Sequence, residues 1–354
     1  MGVRIASVEV IPYALPFRAR YVTSRGSLEQ REMVLLRLRS EDGLTGLGEA
    51  VPLSLRGGAT LERVVGELEL LRELSELDEA GIDGSVVHLS PPARCAALTA
   101  LMDLRGRRAA AEGRSTQAEG EPVRCNATLV AGEPAAVAAD AQRWAAEGFS
   151  TFKLKLGTGD DAGQVRAVRE AVGAEARIRV DANAAWDVDA AKRVLHELEE
   201  LDIELAEQPV ATLEEAAEVA AATSIPIAGD ESVESRGDAE RAATLGACEL
   251  AGVKLSKVGG PEEAIAVAEV LPSYLSSALD GPVGIAAAAQ VAQTLRENAP
   301  AGAHDLAHGL ATQRLFAATV AATECELRDG SLHLPPGPGL GVEIDERALD
   351  AHRL

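Results

Sequence analysis

TFKLKL (Thr151–Leu156), RIRVD (Arg177–Asp181), IELAE (Ile203–Glu207), IPIAGD (Ile225–Asp230) and GVKL (Gly252–Leu255) are five short, mostly apolar stretches of a 354-residue chain. Each reads as a strand, and each is followed by a helical pattern. The helices carry start signals. Thr212-Leu213-Glu214-Glu215 matches a capping box, Asp187 precedes a run with Ala191, Val194, Leu195 and Leu198, and Pro261 stands where a first helical residue would. Strands alternating with helices imply parallel pairing through right-handed crossovers. About 200 residues of this, from Val123 onward, suit an eight-unit barrel or a doubly wound sheet. Lys155, Asp181, Glu207, Asp230 and Lys254 close or nearly close successive strands, roughly 25 residues apart, which is about one βα unit. All five would therefore project from one end of one sheet, the end where a closed barrel gathers catalytic groups.

Outward from this core the grammar changes. The first fifty residues read as β-structure, with Ser40-Glu41-Asp42-Gly43 as the turn of a hairpin returning into Leu44–Ala50. Pro16–Gln30 is basic in an otherwise acidic chain and reads as a long loop. Two helical patterns follow, one on Leu61, Val64, Val65, Leu68, Leu71 and Leu74, the other over Pro92–Ala111. Glu112–Pro122 loses all periodicity, which places a boundary there. The expected division is 1–120 for an α+β unit completed by the tail, 326–354, and 121–325 for the strand–helix unit.

Composition excludes several classes. The net charge of −22 and an aromatic content of 3% argue against a nucleic-acid partner or an anionic membrane surface. No apolar stretch nears the roughly 20 residues that span a bilayer. The opening MGVRIASVEV shows no apolar core with a small-residue cleavage site. Cys95, Cys125, Cys248 and Cys325 form no paired motif and are expected to be reduced, buried thiols. The expectation is a cytoplasmic enzyme acting on a small molecule, with self-association left open.

The residue types point to a chemistry. Asp181, Glu207 and Asp230 are hard oxygen donors from adjacent strands with no His or Cys beside them, a set that suits Mg²⁺, with Mn²⁺ as an alternative. Lys155 and Lys254 flank this acidic arc. An amine near another cation is a weaker base than usual, so it can exchange protons near neutrality. The reaction such a set serves is removal of a proton next to a carboxylate, where a divalent cation neutralises the second charge that forms.

KLKLG (Lys153–Gly157), RVDAN (Arg179–Asn183), AEQP (Ala206–Pro209), AGDES (Ala228–Ser232) and GVKLSKVGG (Gly252–Gly260) together resemble the enolase superfamily, specifically its muconate lactonizing enzyme subgroup. GLTGLGEAVP (Gly43–Pro52) is similar to the capping domain, and NATL (Asn126–Leu129) to the first barrel strand. The resemblance implies a (β/α)7β TIM-type barrel with an α+β capping domain. It implies Asp181, Glu207 and Asp230 as metal ligands, Lys155 and Lys254 as the acid/base pair, and Lys153 as the auxiliary lysine. Asn183 and Glu231 would support the ligands from behind. A lid formed by Pro16–Gln30 and Pro52–Ala59 would make Arg20, Arg25 and Arg56 candidates for an anionic end of the substrate. Ser277 and Asp280 of SSALDGPVGIAAA (Ser276–Ala288) are further substrate-binding candidates.

Within the subgroup, the Ser276–Ala288 segment and AHDLAHGLAT (Ala303–Thr312) are most similar to the o-succinylbenzoate synthases, which implies dehydration in menaquinone biosynthesis. Asp305-Leu306-Ala307 lacks the second carboxylate that would hold a dipeptide ammonium. N-acylamino-acid racemase, dipeptide epimerase and muconate cycloisomerase activities remain alternatives, since both lysines are present. A Schiff-base lyase using Lys254, or a barrel that only binds, also stays open. Arg179 reads as a structural charge in the barrel interior. Lys257 reads as flanking a helix start, and His304 and His308 as packing or capping groups.

Overall fold

The computed structural model describes residues 4–23, 26–53, 57–73, 82, 84–114, 120–157, 159–297 and 306–354. Strands β1 (Ile5–Thr23), β2 (Gly26–Ser40) and β3 (Thr45–Ala50) form an antiparallel sheet in that order. Strand periodicity sends alternate residues of β2 to opposite faces. Val34, Leu36 and Leu38 pack under the helices α1 (Leu61–Glu69) and α2 (Pro91–Ala111), whereas Met33 and Leu35 join the core shared with the barrel. The α2 backbone lies directly on β3, so a Cβ at Gly48 would fall 1.9 Å from the Ala96 carbonyl oxygen. No other residue fits there.

The barrel follows as β4 (Val123–Arg124), β5 (Ala127–Leu129), α3 (Pro134–Ala146), β6 (Thr151–Lys155), α4 (Asp161–Val172), β7 (Arg177–Asp181) and α5 (Val188–Leu198). It continues as β8 (Ile203–Glu207), α6 (Leu213–Ala220), β9 (Ile227–Gly229), α7 (Arg236–Leu245) and β10 (Leu250–Val253). Then come α8 (Leu255–Val258), α9 (Pro261–Ala268), β11 (Ser273–Leu275) and α10 (Pro282–Glu297). Strands β5 to β11 make one seven-stranded parallel sheet in sequential order. His308 and Gly309 close it. His308 pairs with Cys125 beside β5 and Gly309 with Ser276 beside β11, both in parallel. The start signals hold as read: the Thr212–Glu215 capping box is complete, Asp187 caps α5 by accepting from the Ala190 amide, and Pro261 opens α9.

The tail contains β12 (Ala321–Thr323), β13 (Glu326–Arg328), β14 (Ser331–His333), β15 (Glu343–Ile344) and α11 (Glu346–His352). Strand β14 pairs with both β13 and β4, and Arg353 pairs with Tyr13 of β1. All four cysteines are buried thiols outside any disulfide, and no helix among the described residues is long and apolar enough to cross a membrane.

Pro16–Gln30 is a hairpin, not a loop, since β1 continues to Thr23 and β2 begins at Gly26. Arg18 and Arg20 lie on an exposed face, while Phe17 stacks on Tyr21 and on Phe316 with ring centroids 5.4 and 5.0 Å apart. The exposed Arg18 and Arg20 gave the segment its loop-like polarity, and the buried aromatic side carries the strand.

Sheet and barrel are joined by buried polar contacts. Glu49 of β3 accepts from the Tyr13 hydroxyl at 2.9 Å and from the Gly281 amide, at the start of α10, at 2.6 Å. Arg31 donates to the Pro52 and Ala278 carbonyls at 2.9 and 3.0 Å. Burial and the nearby Asp280 carboxylate push Glu49 up to about 7, against its hydrogen bonds from Tyr13 and the backbone. A carboxyl raised in the folded state favours folding most at low pH, and that contribution is lost as pH rises from about 4.5 through 7. Urea unfolding of wild type and Glu49→Gln should therefore diverge over this range. The wild type should lose about 3 kcal/mol relative to the variant between pH 5 and pH 8; parallel curves would refute the assignment.

Candidate active site

The C-terminal ends of β6 to β10 bring the charged residues together. On β6, Phe152 and Leu154 face the outer core, and Lys153 and Lys155 share the opposite face. Lys153 Nζ lies 2.5 Å from Glu207 Oε2 and 2.8 Å from Asp181 Oδ2. Lys155 Nζ lies 2.6 Å from Asp181 Oδ2 and 2.8 Å from Asn183 Oδ1. Asn183 in turn donates to Glu231 Oε1 at 3.3 Å. Asp230 and Lys254 stand one residue past β9 and β10, and Lys254 Nζ donates to Asp230 Oδ2. Five residues read from strand phase, with Lys153, Asn183 and Glu231 from the resemblance, thus fall into two bonded groups, one around Asp181 and Glu207 and one around Asp230, that act on each other through their charges.

Backbone geometry at the strand ends is unusual. Asn183, Ala184 and Gln208 all have positive φ, at 48°, 60° and 40°. Such strain persists only where surrounding contacts impose it. Gln208 shows how: its Oε1 accepts from the Asp230 and Ser232 amides at 2.9 and 3.1 Å, and its Nε2 donates to the Val210 carbonyl at 2.8 Å. The residue after Glu207 therefore holds the loop that carries Asp230.

Electrostatics follow from depth. Asp181 and Asp230 have no exposed surface and Glu207 has 1%. Burial alone would raise Asp181, yet the Lys153 and Lys155 ammonium groups hold it well below the usual carboxylate range. Burial and the neighbouring Asp181 and Asp230 push Glu207 upward despite Lys153 and Lys254. Burial opposes the charge on Lys153, but Asp181, Glu207 and Asp230 together raise it above the ordinary lysine value. Lys153 is thus held as a cation by the carboxylates.

Two members of the site were not legible from strand phase. Lys257, expected to flank a helix start, is buried with its amine on the Asp230 carbonyl and 2.8 Å from Asp230 Oδ1. The single turn of α8 after Lys254 folds it back onto the acid. Tyr274 of β11 donates its phenol to Glu207 Oε2. The lysine-three-on spacing from Lys254 was the available signal for the first; for the second, an isolated tyrosine in a short strand offered none.

Other candidates lie elsewhere. Arg20 is exposed on β1, while Arg25 and Arg56 lie outside the described residues, as do His304 and Asp305. Ser277 and Asp280 turn onto each other, with Ser277 Oγ 2.7 Å from Asp280 Oδ2, and Asp280 also receives the Ser256 hydroxyl at 3.3 Å. Arg179 is fully buried, held by Glu204 at 2.5 Å and by the Ala307 carbonyl at 2.7 Å. His308 accepts from the Leu275 amide, and burial with two nearby arginines lowers it to about 3, so it is a neutral packing group.

As they stand, no three His, Cys, Asp or Glu side chains among the described residues form a group that could hold a metal ion. Lysine amines occupy the carboxylate oxygens instead. The donor chemistry nevertheless fits a hard divalent cation. Glu207 Oε1 is buried without a hydrogen-bond partner among the described residues, an arrangement that is costly unless the oxygen has a use.

The fold and this cluster of buried charges at the strand ends are those of a barrel enzyme, and comparison with known proteins agrees. A family description, Enolase C-terminal domain-like, matches residues 136–348. The chain is 38% identical over 207 residues to the o-succinylbenzoate synthase of Thermobifida fusca, covering 56% of this chain and 63% of that enzyme. Muconate lactonizing enzyme from Pseudomonas fluorescens, solved with muconolactone, superposes with a TM-score of 0.89 at 27% identity over the whole of both chains. A dipeptide epimerase from Enterococcus faecalis, solved with Mg and L-Leu-L-Tyr, gives 0.85 at 26% identity, covering 97% of this chain and all of that one. The chain belongs to the enolase superfamily, in the muconate lactonizing enzyme subgroup. It is an enzyme of the lyase or isomerase type found there.

Lys257 offers a test of the buried network. Breaking a buried ion pair from one side costs about 3–5 kcal/mol. Lys257→Met should lower the unfolding free energy by that amount in urea titrations, whereas a loss below about 1 kcal/mol would mean that the amine is dispensable.

Proposed function

We propose that the chain is an o-succinylbenzoate synthase, a metal-dependent hydro-lyase acting on a succinyl-hydroxycyclohexadiene carboxylate in menaquinone biosynthesis. One observation carries the reaction type. Of the four lysines in the network, the Lys155 side chain is 27% exposed, whereas those of Lys153, Lys254 and Lys257 are 5%, 8% and 2% exposed. A base must reach its substrate, and Lys155 is the amine with access. The identity to the Thermobifida fusca synthase and the Ser276–Asp280 segment favour this substrate over the others of the subgroup.

In this reading Asp181, Glu207 and Asp230 hold a Mg²⁺ ion, which supplies charge neutralisation at the substrate carboxylate when bound. Lys155, as the neutral amine, takes the proton from the carbon next to that carboxylate. Lys254 stays cationic opposite and stabilises the negative charge that develops. Lys155 then returns its proton to the departing hydroxyl, so the carbon–hydrogen and carbon–oxygen bonds break, a carbon–carbon double bond forms and water leaves. Asn183 keeps the Lys155 amine on line through its Oδ1.

A racemase of N-acylamino acids is the second reading, favoured by the presence of Lys254 as a second amine. It would need Lys254 to give up a proton on the opposite face. Dipeptide epimerization is disfavoured by Asp305-Leu306-Ala307, which has one carboxylate where two would be needed.

Turnover should be measured side by side on the cyclohexadiene substrate, N-succinyl amino acids, an L-Ala-Glu-type dipeptide and muconate, with Mg²⁺ and with EDTA. Dehydration should dominate, and EDTA should remove it. Lys155→Ala should lower kcat by at least about 10⁴-fold, the upper end of what a general base contributes. Dehydration that persists in Lys155→Ala, or in EDTA, would sink this mechanism.

A further inference from the structure

We infer that Tyr274 is a positioning residue for Glu207: its phenol engages Oε2 and leaves Oε1 as the donor facing a bound cation. This rests on the reading of Glu207 as a metal ligand.

Strand alternation sends Leu275 to the outer core and Tyr274 inward, where it packs with Leu205 and Ala228 inside the barrel. The neighbouring strand leaves room for it. Gly252 is the register partner of Tyr274, and a Cβ there would come within 2.9 Å of the phenol oxygen and 3.1 Å of Cζ. Arg179 lies over the ring, with its guanidinium carbon 4.7 Å from the ring centroid. Arg179 is itself anchored by Glu204 and Ala307, so the support is rigid.

A buried phenol needs an acceptor, and many cores satisfy it with a backbone carbonyl. Here it selects a carboxylate oxygen that Lys153 already engages at 2.5 Å. Two donors on Oε2 pin the carboxylate plane, while Oε1 is buried and unpartnered among the described residues. A purely structural tyrosine would gain more by satisfying the bare oxygen. Groups that orient metal ligands in this way typically change metal affinity or activity about 10- to 100-fold when removed.

The test is Mn²⁺ binding to the metal-stripped full chain, followed by the EPR signal of free and bound ion, with melting temperature recorded alongside. Wild type should bind one Mn²⁺ and Glu207→Gln should lose it. Tyr274→Phe keeps the ring and should bind about 10- to 100-fold more weakly. Its bound-ion spectrum should differ from wild type even at saturating Mn²⁺, a readout that a packing role would not move. Gly252→Ala, which crowds the phenol but retains its hydroxyl, should reproduce the defect. Wild-type affinity and spectrum in either folded variant would overturn the positioning role while leaving Glu207 a ligand. If Glu207→Gln binds Mn²⁺ as well as wild type, the ligand reading itself fails, and this inference with it.

Discussion

Three carboxylates at the barrel mouth are shielded from water, and the cost of ionising them there is met by amines. Burying an unpaired carboxylate costs several kcal/mol. Asp181 and Glu207 share Lys153, Asp181 also meets Lys155, and Asp230 is gripped by Lys254 and Lys257. The barrel supplies these partners at fixed register, because each comes from a strand or the turn after it. Loss of one member would leave its neighbours charged and dry. The site is therefore a single electrostatic unit, with ammonium groups on Asp181 Oδ2, Glu207 Oε2 and both Asp230 oxygens. Lys155 is the least enclosed of them.

The N-terminal sheet is coupled to this unit through the loop after β11. Arg31 holds the Ala278 carbonyl, Glu49 holds the Gly281 amide, and Ser277 and Asp280 lock the turn between them. Leu279 has a φ of 67° within it. Ser277 and Asp280 thus stabilise the join between sheet and barrel. Glu49 sits at the start of the 16-residue α10, where the helix dipole favours an acid. Burial works against that charge, which makes the joint sensitive to pH.

Much of the site was readable because strand phase is a strict geometric rule. Once Lys155, Asp181, Glu207, Asp230 and Lys254 recur at one unit's spacing, a parallel sheet must bring them to the same end. Tertiary contacts obey no such rule. Lys257 looked like a helix-flanking residue because nothing local marks a side chain that folds back over one turn. Tyr274 was invisible because its importance depends on Gly252 beside it and Arg179 beneath it. The Pro16–Gln30 hairpin was misread because an exposed basic face masks a strand whose other face is aromatic. Among the described residues the barrel closes through two residues, His308 and Gly309, too short a pairing for a periodic signal, so that only the family resemblance marked the segment Ala303–Thr312.

The last residues of the chain complete pairings with some of the first. The Leu354 amide donates to the Pro12 carbonyl, Arg353 pairs with Tyr13, and β14 pairs with the strand that leads into the barrel. A ribosome makes these segments long after β1 has emerged. The early sheet must therefore wait, with one edge open, for a partner not yet made. Contacts so distant along the chain slow folding, and an open edge invites pairing with another nascent molecule. Vectorial production of this fold thus has a vulnerable interval that ends only when the tail docks.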